Sequence, residues 1–343
     1  MRGRDTSPGY RGGMPTQVDQ IDGETVGQLS ESALLARIFA VLRGSSEALV
    51  GPGDDAAVLA VPDGRVVVTT DTLVHGPDFR LAWSSGSDLG FKAATVNLAD
   101  IAAMGARPTA LVVALAVPED TPVAFVADLA AGLREACDTL SPGCAVEGGD
   151  LTVSDTLTIA VTALGVLDGH EPVLRSGAQA GEVVAVCGEL GRAARGLRLL
   201  FDRFRTDAGD PVPVDRSRLS PEESADLDAQ LRPRPPLAHG PLAARSGASA
   251  MMDVSDGLVL DARRMADASG VTIDITDVAD PDALGGGEDH ALLAAFRTGD
   301  VPEGFRIIGV VRERGDTAVT VAGHGYDGTG GWDPYRDWDA HRG

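Results

Sequence analysis

The chain has 343 residues, of which 43% are apolar, and it carries a formal net charge of −22 with a pI near 4.5. This length is enough for two domains. So acidic a chain is unsuited to non-specific binding of nucleic acid or of anionic lipid, and neither is expected as a partner. It can still hold phosphate ligands if divalent cations accompany them.

Cysteine usage and hydropathy indicate a cytoplasmic protein. The three cysteines, Cys137, Cys144 and Cys187, are few and do not have the spacing of a metal site, which is typical of a reduced compartment. No apolar run reaches the roughly 18 residues that a membrane helix needs. The first residues lack the apolar segment of a signal peptide. We therefore expect neither membrane insertion nor secretion.

The predicted elements follow a tail, residues 1–24, which has no hydrophobic period and is expected to be disordered. Apolar residues at helical spacing predict helices over 34–42, 88–104, 125–140, 241–246, 258–268 and 290–296. Apolar or β-branched runs predict strands over 65–70, 111–117, 157–164, 307–311 and 318–321, with another inside 173–187. Residues 206–236, rich in Asp, Pro, Ser and Arg, predict a surface excursion. This alternation favours an α/β or α+β fold.

Carboxylates recur beside glycines or at the edges of these apolar segments. The stretches are GPGDDAAV (51–58), EGGD (147–150), DVSDGL (253–258) and GGGED (285–289). Each alone could be a solvated turn, a helix cap or a flexible loop. Their recurrence favours a shared site, because adjacent carboxylates repel and usually need cations in a folded protein.

Two further acidic residues lie where a ligand site is expected. Asp71 follows a predicted buried strand, and the carboxyl ends of strands are where α/β folds place ligand contacts. Asn97 and Asp100 are three residues apart and share one face of a predicted helix. Asp100 could equally be an ordinary exposed helix residue.

Several kinds of catalytic site are not supported by the sequence. It contains no G-x-x-x-x-G-K-[ST] loop, no protein-kinase H-R-D or D-F-G set, no H-E-x-x-H and no G-x-S-x-G. What remains is a set of aspartates that we expect on five separate loops. Carboxylate oxygens suit hard cations such as Mg²⁺, which commonly binds substrate phosphates as well. The pattern therefore predicts metal-mediated nucleotide chemistry.

Eight stretches between residues 25 and 335 resemble a known family. They are GPGDDAAV (51–58), TTDTLV (69–74), FKAATVNLADIAAMGARP (91–108), EGGD (147–150), LRSGAQAGE (174–182), LRPRP (231–235), DVSDGL (253–258) and GGEDHALL (286–293). Their order resembles that of thiamine-monophosphate kinases. The superfamily also holds aminoimidazole-ribonucleotide synthetase, selenophosphate synthetase and a hydrogenase-maturation protein. NLADIAAMGA with DVSDGL is specific to the superfamily, and GGED with GWD (331–333) narrows the resemblance to this kinase.

The resemblance implies roles for individual residues. Ligands of several Mg²⁺ ions would be Asp55, Thr69, Thr70, Asp71, Asp100, Asp150, Asp253 and Asp256. Contacts to ATP would come from Gly149, Asp150, Arg175 and Ser255. The thiamine moiety would be faced by Glu288 and Trp332, with Asp78 at the position where the family often has a substrate histidine. No catalytic group distinct from the metal ligands is implied.

The resemblance also implies a fold and a reaction. The fold would have an ATP- and Mg²⁺-binding dimerisation domain over 25–168 and an α/β domain over 169–343. The sheets of two N-terminal domains would pair into a barrel across a homodimer. The reaction would transfer phosphate from ATP to thiamine monophosphate and yield thiamine diphosphate.

Three departures from the family pattern lie in the substrate half. They are Asp78 in VHGPDF (74–79), His290 where tyrosine is common, and a shortened interval over 259–285. They leave alternatives open: another ATP-dependent synthetase of the aminoimidazole-ribonucleotide or selenophosphate type, or a non-catalytic module that binds Mg²⁺ and nucleotide.

Overall fold

The computed structural model of the chain describes residues 24–42, 46–51, 56–326 and 330–331. The predicted tail therefore lies outside the described residues except for Glu24. The carbonyl of Glu24 accepts a hydrogen bond from the Val123 N–H at 3.0 Å, so at least this last tail residue packs on the fold.

Helices and strands alternate over much of the chain. The helices are α1 (Glu31–Leu42), α2 (Gly86–Ala103), α3 (Val123–Leu140), α4 (Arg192–Arg203), α5 (Pro221–Leu231), α6 (His239–Arg245), α7 (Leu258–Ser269) and α8 (Pro281–Gly285). The strands are β1 (Val67–Val74), β2 (Arg107–Val117), β3 (Ala145–Val153), β4 (Thr158–Val166), β5 (Val183–Cys187), β6 (Ala250–Val254), β7 (Val271–Ile275), β8 (Ala291–Phe296), β9 (Arg306–Glu313), β10 (Val319–Val321) and β11 (His324–Gly325). In the described part of the chain, no helix combines the length and apolarity needed to cross a bilayer.

The first sheet has the strand order β1-β4-β2-β3, with only the β2–β3 pair parallel. Helices α2 and α3 cover one face. They approach closely because Gly90 and Gly132 lie at their crossing, where an added Cβ would come within 1.9 Å of the Leu129 carbonyl oxygen and 2.1 Å of the Ser87 carbonyl oxygen. On the opposite face, Val68 is 61% exposed.

Helix α2 is the element that joins the two halves of the molecule. Its first turn is held by a capping box, in which the Ser85 hydroxyl accepts from the Asp88 N–H at 3.2 Å and the Asp88 carboxylate accepts from the Ser85 N–H at 3.1 Å. Beyond this cap nearly every residue of α2 is buried. The helix contacts β1 and β4 of the first sheet and β6 of the second, so it can carry side chains to a site between them.

The second sheet has the order β11-β10-β7-β9-β5-β8-β6. Strands β6 and β8 are antiparallel neighbours, with Asp253 opposite Leu292. This pairing places the loop after β6 beside the loop before β8, where the Glu288 N–H donates to the Ser255 carbonyl at 2.8 Å. Two acidic motifs that are far apart in sequence are thereby brought together.

Three predicted elements differ from the structure. The predicted helix over 290–296 is strand β8, buried between β5 and β6. Its Ala- and Leu-rich sequence has helix propensity, but pairing on both edges overrides that preference. The predicted surface excursion over 206–236 contains helix α5, whose Leu227 and Leu231 are buried in a small core with Trp83.

The third difference concerns the predicted buried strand over 65–70. Strand β1 runs from Val67 to Val74, and every residue in it is exposed or half-buried. Asp71 therefore lies in the middle of this strand, not at its carboxyl end. The expectation of five acidic loops is also wrong, since Asp100 lies on α2 and Asp150 lies in β3.

Candidate active site

Polar side chains of helix α2 form hydrogen bonds with strand β1. The Thr69 hydroxyl donates to Asp100 Oδ2 at 2.8 Å, and the Asp71 N–H donates to Asn97 Oδ1 at 2.9 Å. Asn97 is fixed in turn, because its amide nitrogen donates to the Ala93 carbonyl at 2.9 Å. These bonds bring the two carboxylates of Asp71 and Asp100 to one junction.

The carboxylate of Asp253 belongs to the same junction and acts on both of the others. The pKa of Asp100 is raised to about 7, mainly by burial and then by the negative charge of Asp253, with Asp71 adding to the rise and the hydrogen bond from Thr69 opposing it. Desolvation likewise raises the pKa of Asp71, with contributions from Asp253 and Asp256. We call Asp71, Asp100 and Asp253 the junction carboxylates.

His290 immediately precedes β8, the strand that pairs with β6, and lies beside Asp253. Its Nδ1 lies 3.0 Å from Asp253 Oδ2, and both side chains are buried. Burial opposes protonation of His290, but the hydrogen bond and charge of Asp253 outweigh it and raise the pKa of the imidazole. The departure from the family pattern at this position thus places a basic group against one junction carboxylate.

Asp256 forms a salt bridge with an arginine. Its Oδ2 accepts from Arg264 Nη1 at 2.6 Å, and the same nitrogen lies 2.6 Å from Asp261 Oδ1. Desolvation raises the pKa of the fully buried Asp261 to about 6. Asp256 therefore has an arginine partner, whereas neither Asp71 nor Asp100 has one among the residues that the structure describes.

The donor chemistry at the junction fits a hard divalent cation. Three carboxylates from β1, α2 and β6 repel one another, and oxygen ligands of this kind are those that Mg²⁺ prefers. Within residues 24–42, 46–51, 56–326 and 330–331, no group of three or more His, Cys, Asp or Glu side chains is arranged so that it could hold a metal ion. Asp55, a predicted ligand, lies outside the described residues.

A second group of polar side chains lies towards the other end of α2. It consists of the carboxylates Glu288 and Asp78 with Lys92 and Gln230. Lys92 Nζ donates to Glu288 Oε2 at 3.0 Å, and the Gln230 amide donates to the same oxygen. Desolvation opposes ionisation of Glu288, but Lys92 and Gln230 hold its pKa below the usual range. Desolvation and then the charge of Glu288 raise the pKa of Asp78. We call these four residues the Glu288 cluster; Trp332 lies outside the described residues.

Some predicted ligands lie away from the junction. Side chains alternate along a strand, so Thr70 points to the uncovered face of the first sheet, where its hydroxyl lies 3.2 Å from that of Thr162. Asp150 is exposed on β3 opposite Ala114 of β2, on the same face. Gly149 is needed for strand packing, since a Cβ there would lie 2.0 Å from the Val113 carbonyl. The structure does not bring these three residues together with the junction carboxylates.

The two other predicted ATP contacts flank the second sheet. Arg175 is exposed, and its carbonyl accepts from the Ser269 hydroxyl at 3.3 Å. Ser255 is half-buried in the loop after β6, directly between Asp253 and Asp256. Ser255 is therefore beside the junction through chain connectivity.

Sequence reasoning missed Lys92 and Gln230. Lys92 is the only lysine of the chain, and a lone charged residue within an apolar helix was a usable signal. Gln230 belongs to the stretch that was predicted as a surface excursion. No local pattern ties it to Glu288, which is 58 residues away.

Comparison with known proteins agrees with this architecture. Residues 53–167 match the family described as AIR synthase related protein, N-terminal domain. Thiamine-monophosphate kinase from Stenotrophomonas maltophilia K279a superposes with a TM-score of 0.71 at 31% identity, covering 86% of this chain and 98% of that chain. AaThiL complexed with AMPPCP and TMP superposes with a TM-score of 0.68 at 30% identity, covering 88% and 96%.

The sequence comparison extends the similarity over nearly the whole chain. Thiamine-monophosphate kinase of Mycobacterium tuberculosis (strain CDC 1551 / Oshkosh) is 43% identical over 338 residues, which cover 93% of this chain and 95% of that protein. Identity of this level and extent, on a mixed α/β fold with two sheets shared with the solved kinases, assigns the family. The chain belongs to the thiamine-monophosphate kinase family.

Proposed function

We propose that this protein transfers the terminal phosphoryl group of ATP to thiamine monophosphate, giving ADP and thiamine diphosphate, with Mg²⁺ as the metal. A phosphate oxygen of thiamine monophosphate forms the new bond to the γ-phosphorus, and the bond from that phosphorus to the ADP oxygen breaks. The similarity to a kinase that is complexed with AMPPCP and TMP supports this substrate pair.

The observation that carries the proposal is the convergence of the three junction carboxylates from β1, α2 and β6. Two polyanionic substrates repel each other, by roughly 4 kcal/mol for each pair of unit charges about 4 Å apart at an effective dielectric of 20. Divalent cations held at such a site neutralise phosphate charge and align in-line transfer. Asp71, Asp100 and Asp253 would hold them, with Asp55 and Thr69 as further ligands.

The acceptor needs little activation by the protein. The second pKa of a phosphomonoester is about 6, so the attacking oxygen is largely ionised at neutral pH. No strong general base is therefore required, and we expect direct transfer without a phosphoenzyme. Incubation with γ-labelled ATP should leave no label on the protein; covalently bound phosphate would contradict direct transfer.

Different groups of residues would recognise the two substrates. The Glu288 cluster and Trp332 would receive the thiamine moiety, because ionised carboxylates suit a cationic ring. Gly149, Asp150, Arg175 and Ser255 would contact ATP, and Thr70, Asp150 and Asp256 would hold further Mg²⁺. Release of Asp256 from Arg264 would be needed for that role, since Arg264 now occupies its Oδ2.

A coupled assay of ADP formation tests the function. We expect ADP with ATP, Mg²⁺ and thiamine monophosphate together, matched by thiamine diphosphate in the products, and none when Mg²⁺ is chelated. Consumption of ATP with an aminoimidazole-ribonucleotide precursor or with selenide instead, followed by nucleotide and phosphate analysis, would assign another superfamily reaction. Binding of Mg²⁺ and ATP without ADP formation on any acceptor would identify a binding module.

We also infer a homodimer that closes over the uncovered face of the first sheet, with the domain boundary near residue 168, between β4 and β5. Val68 and Val112 are 61% and 38% exposed on that face, and a second copy would bury them. Light scattering should report a dimer, and the double variant Val68→Glu/Val112→Glu should be monomeric. Ile307→Glu, on an exposed position of the second sheet, should remain dimeric; a monomeric wild type would contradict the inference.

A further inference from the structure

Lys92 is a buried cation whose contacts need an explanation. It is the only lysine in the chain and is 6% exposed, on a helix that is otherwise buried and apolar around it. A buried ammonium is costly unless it is paired and hydrogen-bonded. The pairing is with Glu288, which lies 196 residues away in sequence. The ion pair therefore depends on the docking of the second sheet against α2.

Glu288 Oε2 receives two donors, one from each side of the cluster. Lys92 Nζ comes from α2 and the Gln230 amide comes from α5, and Gln230 is 5% exposed. The other carboxylate oxygen, Oε1, has no such donor among the described residues, and 39% of the Glu288 side chain is exposed. One oxygen is thus held by the protein, and the other remains open to a ligand.

The backbone also directs Glu288. Its φ is +69°, a left-handed conformation that non-glycine residues rarely adopt. Hydrogen bonds on both sides hold it there, from the Glu288 N–H to the Ser255 carbonyl at 2.8 Å and from the His290 N–H to the Val254 carbonyl at 3.1 Å. Backbone strain of this kind persists where the surrounding structure over-determines it, commonly at functional sites.

Helix α2 sets the distance between the two acidic groups. Lys92 and Asp100 are eight residues apart, which corresponds to about 12 Å along a helix. The thiamine moiety carries a positively charged thiazolium and an aminopyrimidine that donates hydrogen bonds. A substrate with an anionic phosphate at one end and this cationic moiety at the other matches a metal-binding end and a carboxylate end on one rigid helix.

We propose that Lys92 and Gln230 are positioning residues for substrate specificity, which hold Glu288 Oε2 so that Oε1 faces the cationic ring system of the phosphate acceptor. This inference rests on the proposed function. The two residues act through Glu288 and do not touch the reacting phosphates. Loss of either should therefore weaken binding of thiamine monophosphate and leave binding of ATP nearly unchanged.

Steady-state kinetics with Mg²⁺ test the proposal. Lys92→Met should raise KM for thiamine monophosphate about tenfold, equivalent to about 1.4 kcal/mol, with KM for ATP changed by less than about twofold. Lys92→Arg, which retains the charge, should restore part of the loss. Gln230→Leu should raise the same KM severalfold, whereas Gln179→Leu, at an exposed glutamine, should not. If Lys92→Met does not fold, Gln230→Leu decides the outcome.

A spectroscopic test reports on Lys92 in the unaltered protein. With ¹³C-labelled lysine the chain gives the ε-methylene signal of one residue. Thiamine monophosphate should shift this signal, and AMPPCP with Mg²⁺ alone should not. An unshifted signal under saturating thiamine monophosphate, or a wild-type KM in both variants, would overturn the inference while the kinase activity stands. Absence of activity in the wild-type protein would instead overturn the proposed function.

Discussion

Two groups of carboxylates on one helix have opposite electrostatic properties. At the junction of β1, α2 and β6, burial and mutual repulsion raise the pKa values of Asp71 and Asp100. In the Glu288 cluster, desolvation also favours the neutral carboxyl of Glu288, but its pKa is lowered because Lys92 and Gln230 donate to it. The two ends of α2 thus differ in how fully the protein compensates the charge, since His290 faces only Asp253 among the three junction carboxylates.

This difference shows what each end is suited to receive. The junction carboxylates lack a lysine or arginine partner among the described residues, and His290 faces Asp253, so the remaining repulsion is relieved by protonation or by an external cation. The Glu288 cluster is already paired, and what it offers a ligand is one oriented oxygen. Metal ions and a cationic organic group are therefore expected at opposite ends of the same helix.

The largest expected effect tests the junction. Asp253→Asn or Asp71→Asn removes one cation ligand while keeping its shape, and turnover should fall by about two orders of magnitude or more. Coupled ADP formation measures turnover, and circular dichroism checks that the fold is intact. Asp300→Asn, at an exposed aspartate, should behave as wild type. Near-normal turnover in Asp253→Asn would remove that residue from the metal ligands.

A smaller effect, on the free energy of unfolding, tests whether Lys92 or Glu288 depends more on the ion pair between them. Glu288→Gln leaves the buried Lys92 without a counter-charge, which should lower the free energy of unfolding by about 1–3 kcal/mol. Lys92→Met should cost less, because the Glu288 side chain is 39% exposed against 8% for Lys92 and can be hydrated. Urea unfolding measures both variants.

The double variant Lys92→Met/Glu288→Gln sharpens the same comparison. It removes both charges and should be more stable than Glu288→Gln alone. A reversed order of the two single variants, or a double variant no better than Glu288→Gln, would show that the ion pair is not the source of the effect.

The smallest expected effect is on stability against pH at the junction. The pKa of Asp100 is raised from 3.8 to about 7 in the folded state. Its contribution to stability is therefore complete below pH 3.8 and is lost as the pH rises through about 7. Without divalent cations, Asp100→Asn should melt at a higher temperature than wild type at pH 8, and the difference should shrink towards pH 4.

Mg²⁺ should reverse that difference. At pH 8 the ion should raise the melting temperature of the wild type more than that of Asp100→Asn, because it binds the ionised carboxylates. Thermal unfolding with chelator and with Mg²⁺ measures both states, and Asp300→Asn should follow the wild type. Equal responses of wild type and Asp100→Asn would contradict a cation site at Asp100.

Local patterns predicted some elements and missed others for identifiable reasons. The helix predicted over 88–104 is confirmed by α2, since its capping serine, apolar run and terminal glycine act within the segment itself. The run ALLAAF at 291–296 was predicted as helix and is a central strand. Its local preference is overridden by hydrogen bonds to β5 and β6, which lie elsewhere in the chain.

The sequence by itself determined the fold class, the family resemblance and the acidic motifs, because glycines, capping residues and hydrophobic spacing act over a few neighbouring residues. Only the tertiary structure decided that Asp71 and Asp100 share a junction with Asp253 and that Lys92 pairs with Glu288. Those partners are separated by tens of residues to nearly two hundred residues. Packing of the two sheets against one helix brings these residues together. Burial there desolvates their charges and strengthens the electrostatic interactions between them, and both effects shift their pKa values.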